Sequence, residues 1–85
     1  MPTSPSHYDP RRVDKWAQHR RAVGQNIRKA RIERELTQER LADECGVDRT
    51  LLVAVESGRR SLLYERLFDI ADALDVPIAE LVSDA

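Results

Sequence analysis

Two short stretches of this chain, Thr37 to Gly46 and Asp48 to Gly58, each open on a side chain that caps helices and close on a glycine. Thr37 and Asp48 can each accept a backbone N–H of a first helical turn, and Gly46 and Gly58 can adopt the left-handed conformation that ends a helix. The spacing predicts helices over about 38–45 and 49–57, with only "GVD" between them. Two short capped helices joined this tightly, inside a chain of further helices, are the signature of a helix-turn-helix. The run "LLVAV" at 51–55 could alone be a buried strand, but the caps around it favour a helix. At 100° per residue from Arg49, Leu51, Val55 and Leu52 share one side, which is the expected core face. Thr50, Val53 and Ala54 fall on the side of Arg49.

The rest of the chain reads as helical too. "MPTSPSHY" at 1–8 has no periodicity and is expected to be an arm-like or disordered tail. Asp9 and Pro10 suit the start of a helix. Apolar residues then recur at Val13, Trp16, Ala17, Val23, Ile27 and Ala30. Gly24 leaves two readings, one helix to about Arg34 or two helices meeting near Arg20 to Gly24, because an interior glycine costs about 1 kcal/mol relative to alanine. Leu67, Ile70, Ala71 and Leu74 mark a fourth helix, and Pro77 starts a short fifth. The expected fold is all-α: a helix-turn-helix domain over 23–82 preceded by a helical extension over 9–22.

Length and composition narrow the function classes. Eighty-five residues suit one domain, and the one cysteine, Cys45, cannot form an internal disulfide. With no Cys/His cluster, neither a metal nor a cofactor is expected. "ESGRRS" lacks the pattern of a phosphate-binding loop, and His7 and His19 have no neighbouring nucleophile, so no enzyme is expected. No apolar run reaches the ~18 residues of a membrane span, so a soluble, cytoplasmic protein is expected. Residues 1–40 carry ten Lys/Arg against five Asp/Glu, and residues 41–85 four against ten, so a net +5 stands against −6. That asymmetry suits a polyanion-binding surface, although charge that merely solvates helices would look the same.

Residues 23–81 resemble the helix-turn-helix family of the phage lambda and 434 repressors, the Cro/C1 or XRE family. "IRKARIERELTQERLADECGV", "LLVAVESGRR" and "LFDIADALDVPIAEL" carry the likeness. The resemblance implies a five-helix domain, a homodimer on two-fold double-stranded DNA, and a third helix in the major groove. It further implies that Arg49 and Thr50 reach base edges, with Val53 and Ala54 on the same face. Val53 could touch a thymine methyl, and Ala54 could let the helix approach closely. Gln38, Arg59 and Arg60 match phosphate-contacting positions, and Arg31 with Glu56 matches an ion pair between helices 1 and 3. The implied role is a transcriptional regulator, most simply a repressor.

Three departures keep a second class open. Glu35 stands where the family commonly has glycine, "SLL" at 61–63 replaces the usual start of helix 4, and the extension with Val13 and Trp16 lies outside the usual domain. Trp16, Leu62, Leu63 and Tyr64 are therefore candidates for a dimer or partner surface; equally, the 62–64 cluster could fill a gap beneath the loop and the N-terminal extension could enlarge the core. Together with the apolar Val53 and Ala54, they fit a helix-turn-helix that binds another protein, as an antitoxin does. The basic residues Arg49, Arg59 and Arg60 favour DNA.

Overall fold

The computed structural model describes residues 9–85, which form five α-helices: α1 (Pro10–Glu33), α2 (Gln38–Cys45), α3 (Arg49–Glu56), α4 (Tyr64–Leu74) and α5 (Ile78–Val82). No strand occurs among these residues, and the expected tail over 1–8 lies outside them. Three of the five starts are capped by a side chain. Asp9 Oδ1 accepts the Arg11 amide at 2.9 Å, Thr37 Oγ1 that of Arg40 at 3.0 Å, and Asp48 Oδ2 that of Thr50 at 2.9 Å. The Arg11 side chain also bonds Asp9, which holds that carboxyl below its ordinary pKa.

The same closing device recurs at four helix ends. Leu36, Val47, Arg59 and Val76 each donate an amide back to a carbonyl five residues earlier, at 2.9–3.1 Å. The residue before each is left-handed: Glu35 (φ 56°), Gly46 (70°), Gly58 (79°) and Asp75 (56°). This is a Schellman closure, which glycine adopts without strain and other residues do not. After α1, α2 and α4 the next residue is apolar, and Leu36, Val47 and Val76 all pack on the core. After α3 it is Arg59, which is exposed. Because Glu35 is exposed and left-handed, Glu35→Gly should raise stability by about 0.5–1 kcal/mol, read as a melting point higher by several degrees.

α1 is one helix, so the reading with a break near Gly24 is set aside. Gly24 serves packing instead: a Cβ there would lie 2.3 Å from the Val55 carbonyl oxygen and 2.8 Å from that of Glu56. The missing side chain lets the end of α3 rest on the α1 backbone. Gly24→Ala should therefore destabilise by about 1–3 kcal/mol net, because overpacking outweighs the gain of roughly 1 kcal/mol in helix propensity. A lower urea midpoint with an unchanged slope is the expected result.

Ile27, Leu41, Leu52, Ile70, Leu74 and Leu81 are fully buried, so every helix contributes to a single core. α1 packs on α3 and α5, while α2 packs on α3 and α4. Asn26 Nδ2 fixes α5 to α1 by donating to the carbonyls of Leu81 (3.0 Å) and Ser83 (2.8 Å). Cys45 lies in the core, and burial raises its thiol pKa above the ordinary value. α3 ends at Glu56, with Ser57 as its cap, within a residue of the expected span. The 61–64 segment divides between its two readings: Leu62 is half-buried against the core, whereas Leu63 and Tyr64 are 73% and 70% exposed. No helix among the described residues is long and apolar enough to cross a membrane.

Candidate nucleic-acid interface

α3 divides its residues between an inner and an outer side. Leu52 and Val55 are buried and Leu51 is partly buried, while Arg49 and Thr50 at its start are exposed. Val53 and Ala54 lie between these extremes, each half-buried.

What holds α3 in place is a polar network on its last residue. Arg31 grips the Glu56 carboxylate in a two-bond fork, Nε to Oε2 at 2.7 Å and Nη2 to Oε1 at 2.9 Å. Its remaining nitrogen, Nη1, donates to the Leu36 carbonyl at 2.7 Å. Gln38 Nε2 adds a third bond to Glu56, 3.1 Å from Oε1. Arg31 and Glu56 are 8% and 6% exposed, so one carboxylate ties α1 and α2 to α3 away from water, while Arg31 also holds the α1–α2 connection. A buried pair stabilises only when its geometry is good and its other groups are satisfied. Both conditions hold, since no buried side-chain nitrogen or oxygen among the described residues lacks a partner.

Around the starts of α2 and α3 lies an open groove of about 480 Å³, lined by Arg28, Arg31, Thr37, Gln38, Glu39 and Arg49. The first amides of a helix have no intrahelical partner and carry partial positive charge, which favours anions. Three arginines converge on the same groove. Arg28 escaped the sequence reading, although its place three residues before Arg31 puts the two on one side of α1.

At the other end of α3, Arg59 Nε donates to Ser57 Oγ at 2.9 Å, which holds the guanidinium beside the helix. Arg60 is exposed and borders a separate apolar pocket between α1 and α4. Arg20, also unforeseen, donates from Nε to the Gly58 carbonyl at 3.3 Å and fixes this turn on α1. Trp16, 43% exposed, lies further along α1 and away from the groove residues. Among the described residues no cluster of three or more His, Cys, Asp or Glu is placed to hold a metal ion.

This geometry agrees with the comparisons to known proteins. A helix-turn-helix family model matches residues 27–81, and the chain belongs to that family. It is of the XRE, or Cro/C1, type. The chain is 44% identical over 59 residues to the cryptic phage CTXphi transcriptional repressor RstR of Vibrio cholerae, a match covering 69% of this chain and 53% of RstR. Among solved structures it is similar to the restriction-modification controller protein C.AhdI from Aeromonas hydrophila, with 35% identity, a TM-score of 0.71, and 73% of this chain and 94% of that one covered. The clp gene regulator ClgR from C. glutamicum aligns with 29% identity and a TM-score of 0.70, over 73% of this chain and 80% of that one. The chain spans about half the length of RstR and of two further curated regulators that it matches.

Proposed function

We propose that this chain is a sequence-specific transcriptional regulator that binds duplex DNA as a homodimer and reads the major groove with α3. The observation that carries the reading is the setting of α3. Its back is locked by the Arg31–Glu56–Gln38 network, while its exposed start sits beside a groove lined by three arginines. Arg49 can give guanine O6 and N7 two parallel hydrogen bonds, and Thr50 can bond a base or touch a thymine methyl. Val53 and Ala54 add apolar contact and close approach.

Phosphates are held at both ends of α3. At the start, Arg28 and the first amides of α2 receive one, with Gln38 beside them already braced by Glu56. At the end, Arg59 occupies the position that three other helix ends give to an apolar core residue. Fold stability alone favours an apolar side chain there, so the arginine points to a binding role. Arg60 adds a second charge. Repression is the simplest outcome, since RstR is a repressor and a bound dimer blocks access to its site.

Selection from a random duplex pool tests the reading. It should enrich two-fold symmetric sites with half-sites about one helical turn apart, near 34 Å. Recovery of no common sequence would overturn it. A protein-contact role is favoured by one observation, the exposure of Leu63 and Tyr64.

A further inference from the structure

An apolar pocket of about 180 Å³ opens between α1 and α4, walled by Val23, Val55, Leu62 and Leu67. A cavity of roughly 150 Å³ with such walls holds a benzene-sized ring. The polar side chains around this one are His19, Arg20, Arg60 and Ser61, so its lining holds two guanidinium groups and no carboxylate. Neither arginine is ion-paired among the described residues. Arg20 Nε donates to the Gly58 carbonyl at 3.3 Å, which anchors this guanidinium at the α3–α4 turn, and its two terminal nitrogens are without a hydrogen-bond partner among the described residues. Positive charge with no balancing carboxylate stands beside a ring-sized apolar hole.

We propose that this pocket binds a small carboxylate whose apolar body is about the size of one ring, with Arg20 and Arg60 holding the carboxylate. Size and charge together select this occupant. The apolar walls give a phosphate or another fully hydrated anion nothing in return for its lost water, and the two arginines give a neutral hydrocarbon no partner. A carboxylate on an apolar body satisfies both, because a guanidinium offers it two parallel N–H bonds that are shorter and stronger than neutral ones. The site has a consequence for DNA, which rests on the regulator reading above. Arg60 is one of the groups assigned there to a phosphate, so a carboxylate held by Arg60 competes with the duplex. Ligand and DNA then weaken each other's binding by the same factor.

Benzoate is the probe, titrated into the full chain without DNA and followed by methyl NMR shifts. Saturable shifts centred on Val23, Val55, Leu62 and Leu67 are expected, with a Kd of about 0.1–10 mM, the range for so small a ligand. Benzyl alcohol, a ring without charge, and acetate, a charge without a ring, should each bind at least about tenfold more weakly. Arg60→Gln should weaken benzoate about tenfold and leave benzyl alcohol unchanged, and because Arg60 is exposed the fold should be retained. No saturable shift up to about 50 mM benzoate would overturn the site. So would benzyl alcohol or acetate binding as tightly as benzoate, or Arg60→Gln binding benzoate like wild type. Shifts of the same methyls on concentrating the protein alone, which benzoate does not reverse, would show the pocket filled by a second copy and overturn it as well. With duplex present, saturating benzoate should reduce the slope of log K against log salt by about 2 in a dimer, one phosphate per copy, relative to chloride at equal ionic strength. An unchanged slope would overturn the competition. A chain that binds benzoate and no duplex would support the site and overturn the regulator reading.

Discussion

Arg31→Met should lower the unfolding free energy by about 3–5 kcal/mol, the loss seen when one partner of a buried ion pair is removed. For a domain of this size that is a fall of roughly 15–30 °C in melting temperature, measurable by circular dichroism. The cause lies in what Arg31 leaves behind. Glu56 is 6% exposed and receives two of its three side-chain hydrogen bonds from Arg31; the third, from Gln38, cannot neutralise a buried carboxylate. The Leu36 carbonyl loses its bond from Nη1 at the same time. Adding Glu56→Leu to Arg31→Met should recover much of the loss, because a buried pair replaced by apolar groups of similar volume is often neutral. If Arg31→Met changed stability by less than about 1 kcal/mol, the network would not be what locks α3 to α1.

Arg49→Ala is expected to act on DNA recognition while leaving the fold intact, since Arg49 is exposed at the first position of α3. A bidentate contact to guanine discriminates by about 1–3 kcal/mol, so preference for the selected site over a single-base variant should fall roughly 5- to 150-fold at one position. Arg59→Ala should behave differently. It should weaken binding to all duplexes alike and reduce the slope of log K against log salt by about 2 in a dimer, one phosphate per copy. The contrast separates a base-reading residue from a phosphate-holding one. If the two variants had the same effect, both arginines would be holding phosphate.

Much of the architecture was legible in the sequence because helix ends carry chemical signatures. Thr37, Asp48, Gly46 and Gly58 mark their helices through the hydrogen bonds and left-handed turns those residues favour, and the structure has them in those roles. Gly24 was ambiguous for a physical reason. An interior glycine reads the same whether it breaks a helix or admits a neighbour, and only the 2.3 Å approach to the Val55 carbonyl separates the two. Asp75 and Glu35 close helices in a conformation their residue types do not announce. Leu62 could be read as inward or outward, because Leu62, Leu63 and Tyr64 in a row have no period to tell one side from the other. Around α3, the Arg31–Glu56 fork was suggested by family likeness. Arg28 and Arg20 became visible only when the groove and the α3–α4 turn were placed in space.

A salt titration of binding to the selected duplex tests DNA recognition most directly. With Arg28, Arg59 and Arg60 each holding one phosphate per copy, a dimer neutralises about six. Log K should then fall against log salt with a slope of about −5. Affinity should drop on the order of a thousandfold between about 50 and 200 mM salt, and Arg49→Ala should relax the sequence preference at the one base position that Arg49 reads. Weak binding that hardly changes over that range, and that is the same with Arg49→Ala, would contradict a DNA-reading role for α3.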